Sequence, residues 1–373
     1  MTKMLSGGNR AVCSTALIAL GFLPTALFAG GTIKIDDDKS ISIGAGLRTS
    51  FSMVENSAPN GTDYSKDSSL DSVRLYVNGQ VMKGVNLVFN TERQSDGTVR
   101  VLDGVAQFSF ADTFNLWSGR FLPPSDRSNL SGPYYLATWD FPLVQNYPAI
   151  FAGRDDGLAV WGQTGGGKFK YQVGAFQGRN GAATSNRSDS LLYAGRLVFN
   201  FWDPESGYYN ASTYYGAKEI LALGLTAQTQ TDGAGTATNK ADFKGESIDA
   251  LMEKKLGSDV ASLEGAYYSY DTGNVSDAAL YNGHGYFAQL SYLLGNKIGP
   301  GKLQPHLRYQ SADVTSANIS CASSSSANKC KRYDVGVNYI LSGHNARLSA
   351  IFANEDRGTK DANIIRLGLQ VQI

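Results

Sequence analysis

The sequence has few charged residues, few histidines and few cysteines for its length. Of its 373 residues, 18% are charged, three are histidines and three are cysteines. A typical soluble domain carries about 25% charged residues. Basic and acidic residues are equal in number, at 33 each, and this balance argues against a nucleic-acid partner, which would require a basic surface. The scattered histidines and the lack of a phosphate-binding glycine loop predict neither a metal site nor a cofactor.

Long apolar runs are also missing beyond the N-terminus, since no later stretch approaches the roughly 20 apolar residues that a transmembrane helix needs. At the N-terminus, Lys3 and Arg10 precede an apolar stretch that ends in small residues. This arrangement predicts a secretory signal peptide over residues 1–29 and one mature domain over residues 30–373. The cut is expected after Ala29 or two residues later. A membrane-anchoring helix is the alternative, although a glycine and a proline interrupt it.

Glycine, tyrosine and phenylalanine are abundant, with 42, 20 and 17 residues, and they occur in short alternating runs. In residues 41–53, apolar side chains occupy most odd positions, and small or polar side chains occupy the even positions. This period of two places the two sets on opposite faces of a strand. We identify sixteen such runs, which begin near residues 40, 73, 85, 102, 114, 158, 169, 192, 220, 245, 260, 285, 303, 333, 346 and 363.

An even number of alternating runs of about ten residues predicts an all-β fold, a sixteen-stranded antiparallel transmembrane β-barrel. In each strand, the alternate positions that carry apolar residues would face lipid, and the positions between them, which we call the polar parity, would face the lumen. The odd-numbered connections, such as 230–242, are mostly long and polar, whereas the even-numbered ones are mostly tight. Bacterial barrels sort their external loops and periplasmic turns in this way. The long even connection 202–219 is the exception.

The third odd connection, residues 122–156, is long, has no helical or alternating period, and is rich in proline and aromatic residues. Long irregular connections are usually functional. We expect this third external loop to fold inward and narrow the pore; the alternative is an ordinary surface loop. The residues expected at the constriction are Arg127, Tyr134, Tyr135, Trp139, Asp140 and Arg154.

Charged residues at the polar parity are expected to line the lumen, because a charge on the lipid face would be costly. The basic candidates are Arg48, Arg74, Arg120, Lys170, Arg196, Arg308, Arg347 and Arg366. The acidic candidates are Glu92, Asp103, Asp249, Glu253, Glu264 and Asp334. The small basic excess indicates a weak preference for anions, since basic rings select anions in pores. Alternatively, these groups pair with one another and rigidify the wall.

Two cysteines lie outside the signal, Cys321 and Cys330, in a connection rich in serine and alanine. A close pair in an exported protein predicts a disulfide that staples this loop. Two free thiols are the alternative.

Enzyme signatures are missing, since no nucleophile elbow opens a helix. His306 shares the lumen parity with Arg308, but no serine stands out as its partner. We therefore expect a protein without catalytic activity. A barrel that is plugged, and that acts as a receptor, adhesin or scaffold for a periplasmic partner, is the alternative function. The long connection 202–219 would be its docking surface.

Several motifs resemble the phosphate-selective porin O and P family. They include VLDGVAQF at 101–108 and SGRFLPPS at 118–125, and further segments at 173–178, 193–197, 301–309 and 337–346. The resemblance implies a sixteen-stranded porin, usually a homotrimer, in the outer membrane of a Gram-negative bacterium. It also implies an arginine ladder, to which Arg74, Arg120 and Arg196 would correspond. The family's lysine cluster is not evident, because no lysine lies between Arg120 and Arg154.

The sequence therefore predicts an outer-membrane porin for passive diffusion of small hydrophilic solutes and ions, with a mild preference for anions that extends to phosphate. The expected partners are those solutes, outer-membrane lipids and two further copies of the chain.

Overall fold

The computed structural model describes residues 31–373 except 95, 181–183, 276, 278, 316–327 and 357–360. Its strands form one antiparallel sheet. The strands are β1 (Gly31–Lys34), β2 (Ser40–Val54), β3 (Asp67–Met82), β4 (Val85–Arg93), β5 (Val99–Ala111), β6 (Phe114–Phe121), β7 (Asp155–Thr164), β8 (Phe169–Phe176), β9 (Leu192–Asn200), β10 (Ile220–Gly235), β11 (Lys240–Leu256), β12 (Asp259–Asp271), β13 (Asn282–Leu293), β14 (Lys297–Ile298), β15 (Gly301–Thr315), β16 (Asn328–Ser342), β17 (Ala346–Asp356) and β18 (Ala362–Gln372).

Sixteen of these strands close into a barrel, and β1 and β14 are short additions at its rims. Each barrel strand pairs with the next one along the chain, and β18 closes the ring by pairing with β2 from Ile364↔Val54 to Gln372↔Gly46. β1 pairs with the first residues of β2, beyond the part of β2 that β18 covers. The predicted sixteen-stranded antiparallel barrel is confirmed.

The two faces of the barrel follow the alternation of the sequence. In β9, Tyr193 and Leu197 are 58% and 40% exposed on the outer face, while Arg196 is 2% exposed on the inner face. The same pattern runs through β11, where every second residue from Phe243 to Glu253 is buried. An apolar outer face and a polar inner face are the arrangement of a transmembrane barrel.

The strands are longer than the apolar alternation indicated. The predicted connection 230–242 is an example, because β10 continues to Gly235 and β11 begins at Lys240. The hairpin is extended by polar residues, whose backbone pairing continues as Ala234↔Ala241. Apolar alternation marks only the part of a strand that has an apolar face, so it missed this extension.

One short helix, α1 (Arg127–Ser131), lies in the connection between β6 and β7. Asp126 caps it by accepting a hydrogen bond from the Ser128 backbone, which satisfies one of the free N–H groups at a helix start. Among the described residues, no helix is long and apolar enough to cross a membrane. Residues 1–29, where the signal peptide is predicted, and Cys321 of the predicted disulfide lie outside the described residues.

Candidate functional site: the interior of the barrel

Seven of the eight predicted basic residues lie on the inner face of the barrel. In each case the neighbours at the same parity of the strand are buried. They are Arg48, Arg74, Lys170, Arg196, Arg308, Arg347 and Arg366. The six acidic candidates also face inward and are buried, at Glu92, Asp103, Asp249, Glu253, Glu264 and Asp334.

Arg120 is the exception, and its predicted place in the lumen is wrong. It pairs across the sheet with Gly104 and Asp156, and its guanidinium lies 2.6 Å from the Asp156 carboxylate on the outer face. On β6 the aromatic residues Trp117 and Phe121 take the inner face, where they pack against each other at a centroid distance of 5.7 Å. Apolar residues occupy both faces of this strand, since Phe114 and Leu116 lie on the outer face, so apolar character does not identify the lipid face here.

The arginines of β2, β15 and β17 bind the backbone of residues 122–154, which we call the β6–β7 segment. Arg347 donates to the Leu136 carbonyl at 2.6 Å, and Arg48 donates to the Trp139 carbonyl at 2.6 Å. The Arg48 guanidinium also lies 4.0 Å from the centre of the Trp139 ring, within the range of a cation–π interaction. Arg308 donates to the Asp140 carbonyl at 2.7 Å.

The side chain of Asp140 is held by two further arginines. Arg366 forms an ion pair with its carboxylate, and Arg332 lies 3.1 Å away. Burial raises the pKa of Asp140, but the charges of Arg366, Arg332 and Arg308 outweigh burial and lower the pKa to about 2. The Asp140 carboxylate therefore stays ionised and lies between Arg366, Arg332 and Arg308. Arg332 was missed because the predicted strand began one residue later, although it shares the parity of Asp334.

Glycines make room for the aromatic side chains of the β6–β7 segment. A Cβ at Gly368 of β18 would lie 2.6 Å from the Trp139 ring, and a Cβ at Gly46 of β2 would lie 2.7 Å from the Tyr134 hydroxyl. Both distances are too short for a real side chain, so these aromatic residues lie directly against the backbone of the wall.

On the other side, helix α1 contacts β11, and through Ser128 it also contacts Glu264 of β12 at 3.3 Å. Arg196 of β9 and Arg127 of the helix share Asp249 of β11, at 2.5 Å and 3.8 Å. Burial and the nearby negative charge of Asp249 raise the pKa of Asp126 to about 6. Charges of both signs are thus paired around the start of the helix.

Residues 201–219, which we call the β9–β10 segment, meet the β6–β7 segment. Glu205 forms two hydrogen bonds of 2.7 Å with the Arg127 guanidinium, and both side chains are 1% exposed. Tyr208 donates to the Leu122 carbonyl at 3.0 Å. Because the two connections leave the barrel at opposite ends, this contact joins segments that come from opposite sides. The sequence marked the connection 202–219 as unusually long, but it gave no signal that Glu205 is the partner of Arg127.

A cavity of about 190 Å³ lies between the two segments and the inner face of β3 to β7. We call it the aromatic cavity, because its lining includes Tyr76, Trp117, Tyr134, Tyr135, Trp161, Tyr208 and Tyr209. Trp117 stacks on Tyr208 with ring centres 4.6 Å apart. Arg154, predicted at the constriction, also lines the cavity and lies 3.1 Å from Asp103.

His306 faces the interior but has no catalytic surroundings. It is 3% exposed, and neither ring nitrogen has a hydrogen-bond partner among the residues that the structure describes. A general base needs to reach the proton that it removes, so nothing in the described geometry favours His306 as one. The described residues also contain no group of three or more possible metal ligands.

No protein-family model and no curated protein matches the sequence, but solved structures share its fold. OprB of Pseudomonas putida aligns with a TM-score of 0.61 and 11% identity, over 90% of this chain and 94% of that chain. The trimer form of OmpT, an outer membrane protein of Vibrio cholerae, aligns with a TM-score of 0.54 and 12% identity, over 90% and 100%. The outer membrane channel DcaP of Acinetobacter baumannii aligns with a TM-score of 0.55 and 12% identity, over 93% and 100%. At these identities the likeness shows the fold.

Proposed function

We propose that the chain is an outer-membrane channel through which small hydrophilic solutes diffuse passively. The observation that carries this proposal is the closed barrel with an apolar outer face and a largely polar interior, which holds the aromatic cavity. Similar structures include an outer membrane channel, which supports the same reading. An N-terminal signal peptide over residues 1–29 would direct the chain to export, and residues 30–373 would form the barrel domain. A homotrimer is part of the proposal, supported by the trimer form of a structural neighbour.

The β6–β7 segment is proposed to fold into the lumen and to set the size limit of the channel. Its contacts support this, because its backbone carbonyls and the side chain of Asp140 meet side chains from the inner face of β2, β15, β16, β17 and β18. Solutes would then pass on the side of β3 to β7, through the aromatic cavity.

The preference for anions is proposed to be mild, and strong phosphate selectivity is not expected. Most inner arginines have a carboxylate partner: Arg74 lies 2.5 Å from Glu92, and Arg308 lies 3.0 Å from Asp334. A paired arginine contributes less field to a passing ion than a free one, because the partner cancels much of its charge. Arg48, Arg347 and Lys170 bind backbone carbonyls and supply the remaining positive charge.

Single-channel recording in a planar bilayer under a KCl gradient tests these proposals. We expect conducting steps, a reversal potential slightly on the anion side, and little block when phosphate is titrated. Strong block by phosphate would instead support a phosphate-selective pore. Failure of the purified, folded protein to conduct would overturn the channel proposal.

The second candidate function is a plugged barrel that acts as a receptor, adhesin or scaffold. The buried pair between Arg127 and Glu205 favours it, because it fastens the two segments to each other. If the wild type is silent in the bilayer but a variant lacking residues 206–215 conducts, the β9–β10 segment is a plug and this candidate replaces the first.

A further inference from the structure

The aromatic cavity has the size of a single six-membered ring. Its volume is about 190 Å³, and an engineered cavity of about 150 Å³ is enough to bind benzene. The cavity opens between the barrel wall and the two segments, so a solute that travels along β3 to β7 would meet it.

The charged groups beside the cavity are neutralised. Arg154 is bound by Asp103, which also accepts a hydrogen bond of 2.9 Å from Asn90. Arg74 is bound by Glu92. An ionised ligand would therefore lose its hydration without finding a free counter-charge, which is costly. The cavity suits an uncharged ligand.

Two buried polar atoms of the lining lack a hydrogen-bond partner in the described part of the chain. They are the Oδ1 acceptor of Asn90 and the Nε1 donor of Trp161, and their residues are 2% and 5% exposed. Buried polar groups are normally satisfied, and each exception needs an explanation. The residues that carry this acceptor and this donor both line the cavity, and a ligand hydroxyl group, which can donate and accept, matches the two.

The lining also offers ring faces and amides. Tyr135 and Tyr209 are half-buried and border the cavity, as do the half-buried amides of Asn86 and Gln107. The face of an aromatic ring is negative, so it attracts the polarised C–H groups on the flat side of a saturated sugar ring. Amides can donate to and accept from the hydroxyls at the rim of such a ring.

We propose that the aromatic cavity is a binding site for an uncharged cyclic polyol of the monosaccharide class. This inference rests on the proposed channel function, which brings the solute to the site. The ring would lie against Tyr209, with hydroxyls directed to Asn90, Trp161 and Gln107. An acyclic polyol of the same mass offers no flat face, and an acidic sugar carries a charge that the cavity does not compensate.

The test is the block of ion current by added solutes in the bilayer. Glucose is compared with sorbitol, its acyclic counterpart, and with gluconate. Glucose is expected to reduce the current in a saturable way at concentrations where sorbitol and gluconate change it only through viscosity or charge. Tyr209→Ala is expected to weaken the glucose block by up to about tenfold, the effect of losing one stacking ring.

Gln107→Ala on the strand wall serves as a second variant, because it leaves both segments untouched. Tyr147→Ala is the matched control: it removes a tyrosine of the β6–β7 segment that packs against Tyr270 and does not line the cavity. The control is expected to keep the wild-type glucose block. Retained conductance shows that each variant is folded.

Conductance with equal effects of glucose and sorbitol, or with a stronger block by gluconate, would overturn the inference and leave the channel proposal standing. Complete lack of conductance would instead remove the channel proposal. In that case, titration of the wild-type tryptophan fluorescence with each solute tests the binding site directly, since Trp117 and Trp161 border the cavity. A saturable change with glucose alone would still support the site, and no change would overturn it.

Discussion

The contact between the two segments can be broken by one isosteric substitution, Glu205→Gln. It removes the charge that faces Arg127 but keeps the shape of the side chain. Removing one partner of a buried ion pair costs about 3–5 kcal/mol. Because Arg127 keeps Asp249 at 3.8 Å and the Ala211 carbonyl at 2.9 Å, we expect a value near the lower end, about 3 kcal/mol. This is about two orders of magnitude in an equilibrium constant.

The population in which the β9–β10 segment has left the β6–β7 segment should therefore rise about a hundredfold. In single-channel recordings we expect more frequent and longer steps of higher conductance, because the segment would vacate space inside the barrel. Glu219→Gln is the matched control. Glu219 lies at the end of the same segment, where its carboxylate accepts a 3.2 Å bond from the Lys255 backbone and no other within the described residues. This variant should leave the recordings unchanged.

The reasoning would be refuted if Glu205→Gln folded normally and its step sizes and lifetimes matched those of the wild type. Normal folding can be checked by the change in gel mobility on heating. An equal effect of both variants would show that net charge, and not the buried pair, controls the current.

Three further outcomes are expected. Asp140→Asn leaves Arg366 without its carboxylate and removes one carboxylate from Arg332, which keeps Asp334 at 2.8 Å, so the reversal potential in a KCl gradient should move further to the anion side, whereas Asp112→Asn, in the turn after β5, should not move it. Gly368→Val places carbon atoms where the Trp139 ring lies, with the Cβ only 2.6 Å away, and overpacking of this kind should reduce the free energy of unfolding in urea by about 1–3 kcal/mol. Burial raises the pKa of Glu205, but the charge of its arginine partner outweighs burial and lowers the pKa from 4.5 to about 2. The ion pair is therefore complete above about pH 4.5 and is lost as the pH falls towards 2. The higher steps should stay rare in the wild type between about pH 5 and 8 and should become frequent only on further acidification, which recordings at stepped pH would show; higher steps that become frequent at neutral pH would contradict this assignment.

The fold could be predicted from the sequence because the alternation of apolar and polar residues is local. All sixteen strands lie where the runs placed them, and the parity of β9 and β11 matches the burial of their side chains. The prediction was wrong at Arg120, since β6 carries Trp117 and Phe121 on its inner face. The local rule assumes a polar interior, and an aromatic cluster inside the barrel breaks that assumption.

The candidate site was predictable only in part. The inward arginines follow from parity, but their partners do not. Arg366 meets Asp140, 226 positions away in the sequence, and Arg127 meets Glu205, 78 positions away. No pattern of two or three residues marks such pairs, because they form only when the closed wall brings the connections to the same place.

The sequence by itself determined the number of strands, most of their faces and the length of the connection between β6 and β7, because these depend on a repeat of two residues and on turn chemistry. The tertiary structure alone decided which arginines are neutralised, that the β9–β10 segment meets the β6–β7 segment, and that the remaining space is lined by aromatic rings and amides. Those features depend on how long connections pack against a closed surface. Side-chain volumes and paired charges from distant parts of the chain govern that packing, and no short stretch of the sequence predicts either of them.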